Sequence, residues 1–320
     1  MTCKLYVGAD TGTRDRMGLV RVQGRCAQLA SSDNDAAQKS YEFVVVADPQ
    51  LGMTHANAGW DDDVKLCNAM VAQINARVPP PEFVVVVGDL AHAHRDIDGD
   101  ELQHTAEAQH ADFKRCFDQL SCATFVLPGN HDVGNVVKRS NVREYTDRYG
   151  DDFYTFWAPN KVWCVVLNSQ YLVDPGEEQS MKEEHETWMK QALKEGVDSG
   201  AKAIFVFMHV PPFLRDADEP DLLETVSHWK TFAIPDGYFH LSGGIRRELL
   251  QLFDKFHVSA VFCGHWHQNN APGTRYNNIE VIITSAACAQ LSLDTKPGFR
   301  VIQVSETGSS YTHEYIEIKQ

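Results

Sequence analysis

No stretch of this 320-residue chain approaches the roughly 18–20 continuous apolar residues that a membrane span needs, so no membrane partner is expected. The opening segment, "MTCKLYVGADTGTRDR", lacks the longer apolar core of a secretory signal. Basic charge is scarce: 29 Lys and Arg stand against 44 Asp and Glu, a formal net charge of −15. That balance excludes a nucleic-acid binder relying on a broad basic surface. Cys-x-x-Cys pairs are missing as well. The eight cysteines, at 3, 26, 67, 116, 122, 164, 263 and 288, are scattered, and several sit inside apolar runs. The expectation is free buried thiols in a reducing compartment, and with the other absences this points to a soluble cytoplasmic protein. The chain also shows neither an internal repeat nor a low-complexity tract.

What the sequence does have is the 43% hydrophobic content of a globular chain with a sizeable core. Residues 1–40 are the least patterned: "KLYV" and "GLVRVQ" suggest a small hairpin, and "ASSDNDAAQKS" reads as a linker. They are expected to form an N-terminal extension to a single domain spanning 41–320. From residue 41, short apolar runs such as "FVVVA", "FVVVV", "TFVL", "VWCVVL", "AIFVF" and "SAVF" alternate with helical patterns. Val64, Cys67, Val71 and Ile74 make one apolar stripe at helical spacing; Ile245, Leu249, Leu252, Phe253 and Phe256 make another. Both stripes predict helices packed on sheets. Continuously apolar strands alternating with helices predict an α/β fold, and the late cluster "EVIIT", "RVIQV" and "YTHEYIEI" adds a second sheet. The expected architecture is a layered α/β/β/α sandwich with two mixed β-sheets.

The informative pattern lies at the strand ends. "FVVVA" runs into Asp48, "FVVVVG" into Asp89, "FVLPG" into Asn130-His131-Asp132, "AIFVFM" into His209, and "AVFCG" into His265-Trp266-His267. In α/β sheets, ligands bind beyond the carboxyl ends of strands. Five strand ends tipped with Asp, Asn or His therefore predict one site, a metal centre at the strand C-terminal ends. Its donors are carboxylate, amide and imidazole without thiolate, which suits divalent ions of intermediate hardness rather than structural zinc. If one carboxylate bridges, the set suffices for two ions, and paired ions can clamp an in-line phosphoryl displacement. Their charge would give an acidic protein a locally electropositive pocket for phosphate.

The motifs "GD", "GNHD" and "GHWH", in that order after D-x-Q, resemble those of the calcineurin-like metallophosphoesterase superfamily. The wording "ADPQLG", "GDLAHA", "GNHDVGN", "GDDFYTFW", "LNSQ" and "GHWHQN" is more specifically similar to the calcineurin-like phosphoesterase domain-containing serine/threonine phosphatases, over about residues 41–318. The resemblance implies that Asp48, Asp89 and His267 hold one metal. Asp89, Asn130, His209 and His265 would hold a second, with Asp89 bridging. It implies His131 as general acid, and the adjacent Asp132 is expected to orient that ring and keep it charged. The implied activity is hydrolysis of phosphomonoesters by metal-activated water, on a phosphorylated protein. A small phosphate ester as substrate, a nucleotide or other small-molecule phosphodiesterase, and a non-catalytic metal-binding scaffold remain as alternatives. The implied cofactors are two divalent ions, with manganese, iron, zinc or magnesium all admitted by the mixed donor set.

Gln50 is where the sequence departs from the wider superfamily, which carries a histidine ligand at that position. An amide oxygen is a weaker donor to zinc or iron than an imidazole nitrogen. Direct ligation, support of a metal-bound water, and a supporting amide without a metal bond all fit the sequence. In each case the first metal is expected to bind more weakly than the second. Among the other histidines, His92 and His94 are expected as solvated loop residues, with a role beside the metal open for His92. His104 and His110 are expected at the surface. Asn168 and Gln170 are expected to be structural, and Trp266 either walls the pocket or only packs. The long segment 213–244, with Trp229, Phe232, Tyr238 and Phe239, is either an ordered flap beside the site or a packed surface excursion.

Overall fold

The structure is a computed structural model that describes residues 17–29, 39–221, 226–229, 232–270, 273–291 and 295–319. Its strands are β1 (Cys26–Gln28), β2 (Tyr41–Val46), β3 (Phe83–Val87), β4 (Ala123–Leu127), β5 (Tyr154–Ala158), β6 (Val162–Val166) and β7 (Ala203–Phe207). They continue with β8 (Val226–Trp229), β9 (Phe232–Pro235), β10 (Val258–Cys263), β11 (Thr274–Tyr276), β12 (Ile279–Ile283), β13 (Gly298–Val304) and β14 (Tyr311–Glu317). Every apolar run singled out in the sequence from residue 41 onward is a strand.

Two mixed sheets result. One has the order β14-β13-β2-β3-β4, the other β1-β5-β6-β7-β10-β12-β11; β8 and β9 form a separate hairpin. The sheets face each other across a core rich in phenylalanine. Phe43 stacks on Phe83 with centroids 4.7 Å apart, and Phe125 stacks on Phe156 at 4.1 Å. Rings of this size fill the layer between the sheets, and truncating one to alanine costs about 3–5 kcal/mol. Outside the first sheet lie the helices Asp61–Asn75, Gln103–Phe117 and Arg139–Tyr149. Outside the second lie Gln179–Asp198 and Gly243–Lys255. Both apolar stripes read from the sequence are on helices packed against a sheet, and the layers are helix, sheet, sheet, helix as expected.

Strands β2, β3 and β4 run parallel, as do β6, β7, β10 and β12. All of their carboxyl ends therefore open on one edge of each sheet. At that edge Ala47 bridges to Ala286, with the Ala287 N–H donating to the Ala47 carbonyl at 2.8 Å. This link brings the ends of β2 and β12 together. The N-terminal segment is stitched to the second sheet through β1, which pairs with β5. The expected hairpin of residues 4–7 with 18–23 cannot be described as a whole, since 4–7 lie outside the described residues, as does most of the expected linker. Among the described residues six cysteines are free and buried, as expected, and Cys3 lies outside them. Cys26 departs from that expectation, being disulfide-bonded.

Candidate metal centre

The five strand ends converge. Donor atoms of Asp48, Asp89 and His267 all lie within 4.8 Å of one another, and so do those of Asp89, His209 and His265. All five residues are buried. The sets share Asp89. His209 Nε2 stands 3.4 Å from Asp89 Oδ1, 3.9 Å from Asp48 Oδ1 and 3.2 Å from Asn130 Oδ1. His267 Nε2 stands 3.4 Å from Asp48 Oδ1. Donors around a metal with bonds of about 2.1 Å are separated by roughly 3.0–3.4 Å, so these spacings are close to those of coordination edges.

The local backbone explains how short loops aim so many side chains at one place. Asp48, Gln50, Asp89, His265 and His267 all have positive φ, between 36° and 67°. Non-glycine residues adopt this left-handed region at a cost of about 1–3 kcal/mol each, and such residues cluster at functional sites. Main-chain donors hold the carboxylates. The N–H of His131 donates to Asp89 Oδ1 at 2.8 Å, and that of His265 donates to Asp48 Oδ2 at 2.9 Å. These approaches need glycine. A Cβ on Gly129 would lie 2.1 Å from Asp89 Oδ1, and one on Gly264 would lie 2.5 Å from Asp48 Oδ2. The glycines of the GN and GH motifs are thus the space the carboxylates occupy.

Each imidazole in the set ties one nitrogen to a backbone carbonyl. His209 Nδ1–H donates to Val87 O at 2.8 Å and His267 Nδ1–H to Ala289 O at 2.6 Å. His265 uses the other nitrogen, Nε2–H, toward Tyr238 O at 3.3 Å. A carbonyl accepts only from N–H, so it fixes the tautomer and leaves the remaining nitrogen for a cation. Burial alone would lower the His209 pKa, but Asp89 and Asp48 push it up to about 9. Burial would likewise raise Asp89, yet His209 and His131 hold its carboxyl well below the usual range. Burial and the His209 charge drive His265 well down. The buried carboxylates thus demand positive charge, which a proton on His209 Nε2 supplies when no metal does. Gln50 adds a last observation: its side chain is buried, and its Oε1 has no hydrogen-bond partner among the described residues. Carboxylate, amide oxygen and freed imidazole nitrogen together fit divalent ions.

The structure corrects several expectations. Asp132 does not serve the His131 ring. Its carboxylate accepts from the N–H groups of Gly129 and Leu90 at 2.8 and 3.1 Å, which pins the GNHD turn to the Asp89 loop. Burial and the nearby Asp89 push that carboxyl up to about 8. The His131 ring is oriented instead by the main chain, its Nδ1–H donating to His92 O at 2.6 Å. His92 and His94 are buried rather than solvated, because the 88–94 loop folds back under the Asp48 loop through the Leu51–Ala91 bridge. His110 is buried too, hydrogen-bonded to the Tyr149 hydroxyl at 2.9 Å, whereas His104 is exposed as expected.

Asn168 and Gln170 are structural, bonding Asp152 and the Gly134 carbonyl. Trp266 packs in the core of the second sheet, under the Arg215 guanidinium at 4.9 Å. The side chains of Trp229 and Phe232 lie outside the described residues. The Tyr238 part of the 213–244 segment does reach the site. The Tyr238 hydroxyl accepts from Asn130 Nδ2 and donates to Asn135 Oδ1, both at 3.2 Å. Nothing in the spacing of the sequence singled out that contact or the approach of Gln50 Nε2 to His92 Nδ1 at 3.2 Å; both depend on how loops from different strands lie against each other.

Comparison with known proteins agrees with this geometry. The family model described as "Calcineurin-like phosphoesterase" matches residues 41–269. The serine/threonine-protein phosphatase CPPED1 of Danio rerio is 34% identical over 289 residues, covering 88% of this chain and 85% of that protein. A probable glycerophosphodiester phosphodiesterase, GpdQ, of Arcobacter nitrofigilis is 23% identical, covering 77% of this chain and 78% of its own length. Among solved structures, purple acid phosphatase PPD1 from yellow lupin shares the fold, with a TM-score of 0.55 at 12% identity, covering 88% of this chain and 52% of that one.

Proposed function

The chain belongs to the calcineurin-like phosphoesterase family, a family of hydrolases acting on phosphate esters, and from that premise we propose that it is a two-metal protein serine/threonine phosphatase. The observation that carries the reading is the pair of buried donor sets sharing Asp89. Asp48, Asp89, His267 and Gln50 would hold the first ion; Asp89, Asn130, His209 and His265 would hold the second. Manganese, iron or zinc suits the mixed donors best, and magnesium suits them less. When bound, the ions supply Lewis-acid stabilisation of the phosphoryl oxygens and activation of the attacking water.

The protein's own groups do the rest. His131 is half-buried at the rim. With Nδ1–H committed to the His92 carbonyl, its Nε2 is the proton donor to the leaving alkoxide. Its N–H fixes Asp89, coupling the acid to the metal bridge. Asp132 shapes the turn that carries both Asn130 and His131. Residues 41–320 form the phosphoesterase domain in this reading, with 1–40 as an extension. The six free buried thiols among the described residues support a reducing, cytoplasmic setting, and the disulfide at Cys26 stands against it.

The test begins with protein stripped by a chelator and reloaded with one ion at a time. A phosphoserine peptide should be hydrolysed faster than a nucleotide phosphodiester; the reverse preference would establish the phosphodiesterase alternative, and no turnover with any ion would establish the scaffold. His131→Ala should retain both ions and lose about 10²–10⁴-fold in turnover of alkyl phosphates, while sparing aryl phosphates whose leaving group needs no proton.

A further inference from the structure

Gln50 Oε1 is a buried oxygen without a hydrogen-bond partner among the described residues, and its surroundings say what it is for. We propose that His92 is a positioning residue that turns the Gln50 amide so that Oε1 becomes a direct ligand at the first metal position; the proposal rests on the two-metal reading above. Gln50 Nε2 lies 3.2 Å from His92 Nδ1, while Oε1 has no partner among the described residues although only 2% of the residue is exposed. A buried acceptor left unpaired is costly, so the arrangement calls for a group that the described protein atoms do not supply. The opposite amide orientation would put an N–H₂ group, which cannot ligate a cation, where Oε1 stands. His92 Nδ1 selects between the two, because as an acceptor it takes the amide hydrogen and leaves the oxygen outward.

Both residues are held for this task by the main chain. The Gln50 N–H donates to Asp89 O at 2.8 Å, and the His92 N–H donates to Leu51 O at 3.0 Å. Gln50 itself adopts φ +36°, two residues from Asp48. The His92 ring also stacks on the His131 ring, centroids 4.8 Å apart and 23° from parallel, while its carbonyl takes the His131 Nδ1–H. One residue thus sets the orientation of an amide ligand with its ring and of the general acid with its carbonyl.

The experiment titrates Mn²⁺ into chelator-stripped protein and resolves two binding steps by calorimetry. His267→Ala identifies the step that belongs to the first position. His92→Phe keeps a ring stacked on His131 but removes the acceptor, and should weaken the first step about 10–100-fold and leave the second unchanged. His92→Asn puts a carbonyl oxygen where Nδ1 stands and should restore the first step. Gln50→Met should reproduce the loss, with no further loss on adding His92→Phe. In the His267→Ala background, His92→Phe should be silent. Wild-type affinity at both steps in a folded His92→Phe protein overturns the proposal, as does equal weakening of both steps or failure of His92→Asn to restore the first. Absence of any Mn²⁺ binding by the unaltered protein overturns instead the two-metal reading beneath it.

Discussion

The two sheets bring different chemistry to the same edge. The first supplies oxygen: Asp48, Gln50, Asp89 and Asn130 follow β2, β3 and β4. The second supplies nitrogen: His209, His265 and His267 follow β7 and β10. Neither sheet alone assembles a donor set, since each cluster takes at least one carboxylate from one side and one imidazole from the other. A metal bound here would therefore clamp the two layers together. The division also sets imidazole against carboxylate across the site, with His209 Nε2 3.4 Å from Asp89 Oδ1 and His267 Nε2 3.4 Å from Asp48 Oδ1.

The most damaging way to break this division is Asp89→Asn. It removes the one carboxylate common to both clusters, and neither ion should be retained. Turnover should fall at least about a thousandfold, equivalent to the several kcal/mol of charge stabilisation that bound ions provide. On the nitrogen side no residue is shared. His265→Ala and His267→Ala should each leave one ion of the two, counted by elemental analysis after dialysis; loss of both in either variant contradicts the division into two positions.

Moving nitrogen to the oxygen side sharpens the comparison. In the proposed two-metal reading, the first position would have one imidazole and an amide where the second would have two imidazoles and an amide, so dialysis should empty the first position before the second. Gln50→His should reverse that order and tighten the first position by about tenfold.

The smallest expected effect lies behind the sheets. His110 packs outside the first sheet and His185 within the Gln179–Asp198 helix outside the second. Burial lowers the pKa of each to about 3. Each is neutral when folded, but gains a proton below about 6.5 once unfolded. Their stabilising contribution is thus complete above pH 6.5 and is lost as the pH falls from there toward 3. By pH 5.5 each should cost at most about 1.4 kcal/mol. Denaturant melts of His110→Gln and His185→Phe should flatten the profile by similar amounts; a flattening confined to one variant would show the two layers to be unequal.

Strand ends were legible because a continuously apolar run stopped by Asp, Asn or His has few other readings. The helix stripes at 64–74 and 245–256 were legible for a similar reason, being written in local periodicity. Side-chain direction within the loops was not. Asp132 sits beside His131 in the chain, yet turns away because two N–H groups of the GNHD and Asp89 loops capture its carboxylate. His92, His94 and His110 look like surface residues among polar neighbours. Their burial depends on one loop folding under another and on a tyrosine 39 residues distant from His110. The Tyr238 contact to Asn130 spans 108 residues, and no local pattern encodes it.

The left-handed backbone at Asp48, Gln50, Asp89, His265 and His267 has a further consequence for the proposed centre. Main-chain hydrogen bonds and glycine-made space set the donors' positions before any ion arrives. Such a receptacle is cut to one shape, while manganese, iron and zinc differ modestly in size and all accept nitrogen and oxygen. In the two-metal reading, discrimination would then pass from the protein to its surroundings, and the ion occupying the centre would be the one the cell keeps in supply.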